Sequence, residues 1–199
     1  MNSIKAIFID FHGVLLRGDY TIVTRMLAKK HGLKWPDLYQ VLYFKYFLQA
    51  AVGRIAEREI YTKTFQELGW QDEDWRQAHA FHRNAMKINN SVRQYLRGLQ
   101  KRGYLVVLLT ANTAPQTKWY IQKFALKKNF PHIINTVELR LSKSGPEIMR
   151  WLQKKFNIKP SESLVCDDQE RNLIKALQMG FHTIWNRNFK QFRRDMVKQ

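Results

Sequence analysis

A nearly continuous apolar run at residues 4–9 leads directly into Asp10, and Gly13 follows three positions later. A run of this kind, bounded by turn residues, predicts a strand buried on both faces of a parallel sheet. Ligands of open α/β sheets bind outside the carboxyl ends of the strands, so Asp10 stands where a nucleophile or a metal ligand would be useful. Gly13 permits a sharp turn and a close approach of a ligand to the backbone.

The rest of the chain alternates strand and helix patterns, with one interruption. Strands are predicted at residues 104–110, 132–139, 163–167 and 181–185, and segments of helical spacing lie between them and after them, from Ser91 onwards. Such alternation predicts right-handed crossovers, and therefore an α/β fold with a Rossmann-like parallel five-stranded sheet flanked by helices.

The interruption is residues 17–88, which show helical spacing and no strand signal. One predicted helix, from Pro36 to about residue 51, is rich in aromatic side chains. Most of them are expected in the core, with one edge open to the substrate or to a partner helix. The chain therefore predicts two domains: an α/β core of residues 1–16 and 89–199, and an inserted α-helical domain of residues 17–88.

Composition and charge limit the class of protein. The 199 residues include 34 Lys and Arg against 16 Asp and Glu, a formal net charge of +18, which favours anionic ligands and nonspecific nucleic-acid contact. No apolar run is long enough to span a membrane, and no secretory pattern precedes Asp10. Cys166 is the single cysteine, so no internal disulfide forms and a cytoplasmic location is expected.

Polar residues stand at the ends of two further predicted strands. Thr110 ends one strand, and a hydroxyl beside backbone N–H groups at a helix N-terminus can bind an anion, although a simple helix cap has the same pattern. Asp167 and Asp168 end another. Two adjacent carboxylates beside Asp10 would resist ionisation without a cation, and Mg²⁺ prefers oxygen ligands of this kind.

These motifs, in this order, resemble those of the haloacid dehalogenase-like (HAD) hydrolase superfamily. Residues 10–14, D-F-H-G-V, resemble its first motif, Asp-x-Asp-Gly-Thr/Val, and Thr110 resembles the hydroxyl residue of its second. Asp167 and Asp168, followed by Asn172, resemble its fourth motif, Asp-Asp-x-x-x-Asn. The resemblance covers nearly the whole chain.

The resemblance also implies roles for other segments. Lys143 stands before Pro146 and Glu147, where subfamily I members commonly have Lys-Pro-x-Pro-Glu, although Ser144 replaces the first proline. A lysine aimed at the site would neutralise phosphate oxygens and keep the nucleophile ionised. Residues 17–88 would be a C1-type helical cap that closes over the strand tips.

The reaction implied by the resemblance is Mg²⁺-dependent hydrolysis of a small phosphomonoester through an aspartyl-phosphate at Asp10. The metal is then expected at Asp10, the His12 carbonyl and Asp168, with Asp167 sharing it or standing behind. The transferring phosphoryl oxygens are expected to bind Thr110, Ala111, Asn112 and Lys143.

His12 departs from the family pattern, because most phosphatases of the family have a second aspartate there as general acid. A histidine titrates ordinarily near pH 6.5 and could donate the proton itself, or water or the substrate could supply it. Two other functions stay open. A dehalogenase is one, although it would not use the metal that Asp167 and Asp168 suit; a non-catalytic module that binds an anionic partner such as RNA is the other.

Overall fold

The computed structural model describes residues 4–197 and has a parallel sheet at its centre. Its strands are β1 (Ala6–Asp10), β2 (Leu16–Arg17), β3 (Lys87–Ile88), β4 (Leu105–Thr110), β5 (His132–Asn135), β6 (Ser163–Asp167) and β7 (His182–Trp185). Within the described residues, five of them form one parallel sheet in the order β5-β4-β1-β6-β7. This confirms the predicted α/β, Rossmann-like fold.

Helices follow the sheet strands and also fill the interval between β2 and β3. The α-helices are α1 (Tyr20–Lys30), α2 (Trp35–Tyr39), α3 (Leu48–Ala50), α4 (Glu57–Glu67), α5 (Trp75–Ala85), α6 (Asn90–Lys101), α7 (Ala114–Lys123), α8 (Thr136–Leu139), α9 (Pro146–Phe156), α10 (Ile174–Gln178) and α11 (Phe189–Val197). Short 3₁₀ turns lie at Leu126–Lys128, Pro160–Glu162 and Glu170–Asn172. None of the described helices is both long and apolar enough to cross a bilayer.

The central strand explains why its sequence is apolar throughout. Successive side chains of β1 point to opposite faces of the sheet. Ile7 and Ile9 pack into one buried cluster with residues of α6, α7 and α11, and Phe8 packs into a second with residues of α9 and α10. Helices therefore cover both faces, and only the carboxyl edge of the sheet is left for polar chemistry.

Three local predictions from the sequence were wrong: a helix cap at Ser91, a strand over residues 132–139 and a helix over residues 169–179. In the first two, a side chain captures a backbone N–H. Asn89, not Ser91, caps α6, and its Oδ1 accepts from the amide of Val92 at 3.4 Å. The strand predicted at residues 132–139 stops at Asn135, whose Oδ1 accepts from Val137 N at 3.4 Å and starts α8. The helix predicted at residues 169–179 opens as a 3₁₀ turn before α10.

The helix predicted from Pro36 to about residue 51 changes its hydrogen bonding twice. It starts as α2, becomes a π-helix over Gln40–Phe47 and ends as α3. π-Helices are rare and concentrate at functional sites. Helical spacing in a sequence does not distinguish this wider turn from an α-helix.

Residues 17–88 have a hydrophobic core of their own, built from α1 through α5, with Tyr61, Ile60 and Leu42 fully buried in it. The ends of this segment meet where β2 and β3 pair antiparallel, Leu16 opposite Ile88 and Arg17 opposite Lys87. The prediction of no strand in residues 17–88 was wrong at these two ends, because a chain that leaves and re-enters the sheet there satisfies its backbone groups by pairing.

Candidate active site

The carboxyl edge of the sheet brings together side chains from three neighbouring strands. Asp10 ends β1, Thr110 ends β4 on one side of it, and Asp167 ends β6 on the other. All three are buried, and the Thr110 hydroxyl has no hydrogen-bond partner among the described residues. A buried hydroxyl without a partner is costly, so Thr110 is suited to an incoming polar ligand.

Lys143 joins two of these carboxylates from the loop that precedes α9. Its Nζ donates to Asp10 Oδ1 and to Asp167 Oδ2, the second at 2.7 Å, and its side chain is only 7% exposed. Burial alone would lower the Lys143 pKa, but Asp10 and Asp167 outweigh burial and leave that pKa raised. Lys143 is therefore a fixed positive charge on the floor of the site.

Asp10 is held by hydrogen bonds to one of its oxygens. Besides Lys143, the amide of Phe11 donates to Asp10 Oδ1 at 2.7 Å, so both of these bonds fall on Oδ1 and neither on Oδ2. Burial raises the pKa of Asp10, Lys143 opposes that rise, and the charges of Asp167 and Asp168 add to it. The carboxylate needs more positive charge nearby than Lys143 supplies.

The adjacent aspartates have different surroundings. Both oxygens of Asp167 are engaged: Oδ1 accepts from Gln169 N at 2.8 Å, and Asn172 Nδ2 donates to Oδ1 and Oδ2 at 3.0 and 3.1 Å. Asp168 is half-buried, and its Oδ1 is buried with no partner in the described part of the chain. Burial, followed by the charge of Asp167, raises the pKa of Asp168 to about 6.

Gly13 makes room for Asp168. Its φ is +79°, and a Cβ built at this position would lie 2.1 Å from Asp168 Oδ2. Any side chain here would displace the carboxylate as well as strain the turn. A glycine is therefore needed here for two reasons: the backbone conformation of the turn and the space that the Asp168 carboxylate occupies.

Asp10, Asp167 and Asp168 can each offer a carboxylate oxygen such that the three atoms lie within 4.8 Å of one another. Lys143 supplies one positive charge against these three carboxyl groups. Oxygen ligands, excess negative charge and an unpartnered Asp168 oxygen are the donor set that a hard divalent cation requires. The residues present fit Mg²⁺.

His12 reaches the site edge, but as a neutral ring. Asn112 Oδ1 accepts from the amide of Thr113 at 2.8 Å, which turns its Nδ2 towards His12 Nε2 at 3.2 Å. Nε2 therefore accepts, and the ring proton is on Nδ1. Burial, with a smaller contribution from Lys143, lowers the pKa of His12 to about 3. The imidazolium expected from an ordinary histidine pKa is not present at neutral pH in this state.

The side chains predicted to bind phosphate thus differ in availability. Thr110, Ala111, Asn112 and Lys143 all line the cleft above Asp10. The Asn112 amide group is already bonded to His12 and Thr113, whereas the Thr110 hydroxyl is free among the described residues.

We call the strand-end residues Asp10, Thr110, Asp167 and Asp168, together with Lys143, the floor. A cleft of about 210 Å³ lies between the floor and residues of the helical segment. Every fourth residue from 39 to 51 lines it: Tyr39, Tyr43, Phe47 and Ala51. We call these four residues the roof. The sequence left one edge of this helix open to the substrate or to a partner helix, and the roof is the edge that faces the cleft.

Two residues next to the acidic pair hold the roof in place. Gln169 Nε2 and Arg171 Nη2 donate to the Tyr43 hydroxyl at 2.9 and 3.2 Å, and Arg171 lies over the rings of Tyr43 and Phe44. Sequence analysis missed these contacts, because they join positions about 126 and 128 residues apart in the chain.

β7 supplies further supports that sequence analysis missed. Trp185 Nε1 donates to the Asp168 carbonyl at 2.9 Å, and Asn186 Nδ2 donates to the Gly13 carbonyl at 3.3 Å. The Asn186 amide also donates to the Asp167 carbonyl at 2.8 Å. The edge strand thus ties the loop after β1 to the loop after β6, and no motif in the sequence marks it.

The chain matches the family model described as haloacid dehalogenase-like hydrolase over residues 4–180. Among curated proteins it is similar to the glyceraldehyde 3-phosphate phosphatase of Pyrococcus furiosus, with 28% identity over 95 residues. That match covers 47% of this chain and 39% of the relative, so the chain spans about two-fifths of the relative's length.

Solved structures resemble the chain over nearly its full length. A predicted HAD-like family hydrolase from Porphyromonas gingivalis has a TM-score of 0.78 and 22% identity, with 98% of each chain covered. A HAD family enzyme from Bacteroides thetaiotaomicron, in complex with magnesium and inorganic phosphate, has a TM-score of 0.73 and 23% identity, over 92% of this chain and 93% of that one. This protein belongs to the haloacid dehalogenase-like hydrolase family.

Proposed function

We propose that the protein is a Mg²⁺-dependent phosphomonoester hydrolase that forms an aspartyl-phosphate at Asp10. One observation carries this proposal: buried Asp10 and the unpartnered Asp168 oxygen stand beside a lysine that neutralises only part of the local negative charge. The phosphatase relative and the relative crystallised with magnesium and phosphate support it.

Asp10 Oδ2 is the proposed nucleophile, since the hydrogen bonds from Phe11 and Lys143 both fall on Oδ1. It forms a bond to phosphorus as the ester P–O bond breaks, and the leaving alkoxide takes a proton from cleft water. A second water then attacks phosphorus, releases inorganic phosphate and restores the Asp10 carboxylate. Lys143 and the Thr110 hydroxyl stabilise the charge on the transferring oxygens.

Asp10, Asp168 and the main-chain carbonyl of His12 would hold Mg²⁺, with Asp167 behind them because its oxygens already accept bonds from Lys143, Gln169 and Asn172. When bound, the ion supplies charge stabilisation for the phosphoryl oxygens and lets the clustered carboxylates stay ionised.

We propose that His12 does not replace the usual aspartate as a charged acid. Its low pKa and its contact with Asn112 support a neutral positioning role, so water supplies the proton to the leaving group and turnover is slow. The same observation favours a second candidate: a catalytically weak or inactive member of the family that binds an anionic partner.

Residues 17–88 are proposed to act as a cap domain over a core of residues 1–16 and 89–199. The separate hydrophobic core of the segment and the β2–β3 pair at its ends support that division. The nucleic-acid contact stays a prediction from charge alone, and the cytoplasmic location stays a prediction from cysteine content. A dehalogenase is not favoured, because the clustered carboxylates suit a cation that it would not use.

The test is a screen of small phosphomonoesters with and without Mg²⁺, using wild type and Asp10→Asn. We expect metal-dependent phosphate release that EDTA abolishes and that Asp10→Asn lowers by at least ~10⁴-fold, as losing a nucleophile commonly does. Halide release from a 2-haloacid without metal would instead make the protein a dehalogenase. No turnover of any substrate, together with retained binding of vanadate, would favour the second candidate.

A further inference from the structure

The roof carries a row of stacked aromatic rings. The Tyr39 and Tyr43 ring centroids are 4.7 Å apart at an interplanar angle of 10°, and those of Tyr43 and Phe47 are 4.9 Å apart at 21°. We call these three rings the ladder, and all three line the cleft. Tyr43 and Phe47 lie on the π-helix Gln40–Phe47, and Tyr39 is the last residue of α2 before it.

Stacking decides which part of each ring meets a ligand. Both faces of the Tyr43 ring are covered by its two neighbours in the ladder, so this ring can present only its edge to the cleft. The edge of an aromatic ring carries partial positive charge and prefers the negative face of another ring. The ladder is therefore shaped for a flat π-system lying across it.

The hydroxyl groups on this wall are mostly occupied. Gln169 and Arg171 donate to the Tyr43 hydroxyl, and the Tyr20 hydroxyl donates to Gln116 Oε1 at 3.1 Å. Of the three tyrosine hydroxyls that line the cleft, only that of Tyr39 has no hydrogen-bond partner among the described residues. A leaving group with many hydroxyls that lies against the ladder would lose hydrogen bonds to water and recover few of them from these tyrosines.

The cleft also limits the size of the ligand. Its volume of about 210 Å³ has to hold the phosphoryl group near Asp10 as well as the leaving group. Pockets for drug-sized ligands usually start at ~300 Å³. A single ring therefore fits better than a whole nucleoside.

We infer that the ladder selects phosphomonoesters whose leaving group carries one flat aromatic ring, held edge-to-face against Tyr39, Tyr43 and Phe47. This inference rests on the proposed function for the phosphoryl end of the ligand. What the inference adds is the chemical class of the leaving group, which the floor of the site does not determine.

The test compares benzyl and cyclohexylmethyl groups, which match in size and in the chemistry of the leaving oxygen but differ in having a π-face. Binding of benzylphosphonate and cyclohexylmethylphosphonate, which cannot be hydrolysed, is measured by calorimetry with Mg²⁺. We expect benzylphosphonate to bind ~3–10-fold more tightly, the size of an edge-to-face aromatic contact. Turnover of benzyl phosphate and glucose 6-phosphate is measured alongside, and we expect kcat/KM to favour the benzyl ester by at least ~10-fold.

Phe47→Leu is the test variant, and Phe81→Leu is its matched control, because Phe81 is an exposed aromatic residue of the same helical segment outside the cleft. We expect the benzyl preference to fall below ~2-fold in Phe47→Leu and to be unchanged in Phe81→Leu. Tyr39→Leu is a second variant in case Phe47→Leu does not fold.

Equal binding of the two phosphonates by wild type would overturn the inference, even if phosphate esters are hydrolysed in a metal-dependent way. Preference for glucose 6-phosphate over the benzyl ester would overturn it too. Selective benzylphosphonate binding without any turnover would uphold the inference and contradict the proposed function, so the two failures are distinguishable.

Discussion

The floor and the roof of the cleft are built in opposite ways. On the floor, Asp10, Thr110 and Asp167 end adjacent parallel strands, so backbone pairing alone fixes where their side chains meet. On the roof, the ladder spans a change of helix type, and its Tyr43 hydroxyl bonds to residues after β6 that are distant in the chain. The proposed chemistry thus belongs to the part that the sheet determines, and the proposed ligand choice belongs to the part that tertiary packing determines.

The floor should give the largest effects, beginning with Lys143. In Lys143→Met the buried carboxylates lose their ion pair and the phosphoryl oxygens lose a cation, so we expect kcat to fall ~10²–10³-fold. Steady-state kinetics at saturating Mg²⁺ measure this. Lys154→Met, on the exposed surface of α9, is the control and should keep wild-type kinetics. A Lys143→Met enzyme within a few-fold of wild type would show that the floor works without its lysine.

Variants of His12 test whether the site already contains a proton donor for the leaving group. Because the pKa of His12 is lowered to about 3, it does not supply a charged acid, and His12→Asp should raise kcat ~10–100-fold by restoring a proton donor. His12→Asn keeps a neutral polar side chain and should stay near the wild-type rate. A large loss of kcat in both variants would mean that the imidazole itself takes part in proton transfer.

The contact between roof and floor should have a smaller effect. Tyr43→Phe removes the hydroxyl that accepts from Gln169 and Arg171, so we expect KM to rise ~3–10-fold with little change in kcat. Tyr46→Phe is the matched control. Tyr46 lies on the same π-helix as Tyr43, but its hydroxyl bonds to Glu67 of α4, and Tyr46 does not line the cleft. A fall in kcat alone would place the Tyr43 hydroxyl in the chemistry rather than in closure.

The smallest effect is expected in the pH dependence of the free energy of unfolding. Burial raises the pKa of Asp168 to about 6 in the folded protein, above the unfolded value of ~3.9. The folded state then binds more protons than the unfolded state between these values, so the free energy of unfolding of the metal-free protein should fall as pH rises from ~4 to ~6. Thermal melts in EDTA measure this fall.

Mg²⁺ should reverse that loss by stabilising the ionised carboxylate, and Asp168→Asn should raise the metal-free melting temperature at pH 7 by a few degrees. An Asp168→Asn protein that melts at or below the wild-type temperature in EDTA would show that Asp168 is not destabilising the floor.

The contrast between floor and roof also explains what could be predicted from sequence. Asp10, Thr110, Asp167 and Asp168 were predicted to meet because parallel strands place their carboxyl ends at one edge, and the structure brings them together. Lys143 came from the resemblance to a known family, and it lies where that resemblance implied. Local patterns and motif order sufficed for these positions.

The environment of His12 was not predictable in the same way. Its neutral state depends on burial and on Asn112, which is 100 residues away in the chain, with Tyr120 packed against its ring. The roof contacts of Tyr43 likewise join distant segments. Local patterns in the sequence do not report such contacts. The sequence therefore suggested the ordinary pKa of a histidine for His12, whereas burial lowers that pKa in the folded protein.

The π-helix suggests how a protein of this kind could change its substrate during evolution. Losing one codon within Gln40–Phe47 would restore α-helical turns and change the angles at which the remaining side chains of this stretch leave the helix axis. A different set of side chains would then face the ligand, while the acidic cluster at the strand ends stayed as it was. Substrate preference could thus diverge between descendants in one mutational step, with the hydrolytic chemistry inherited intact.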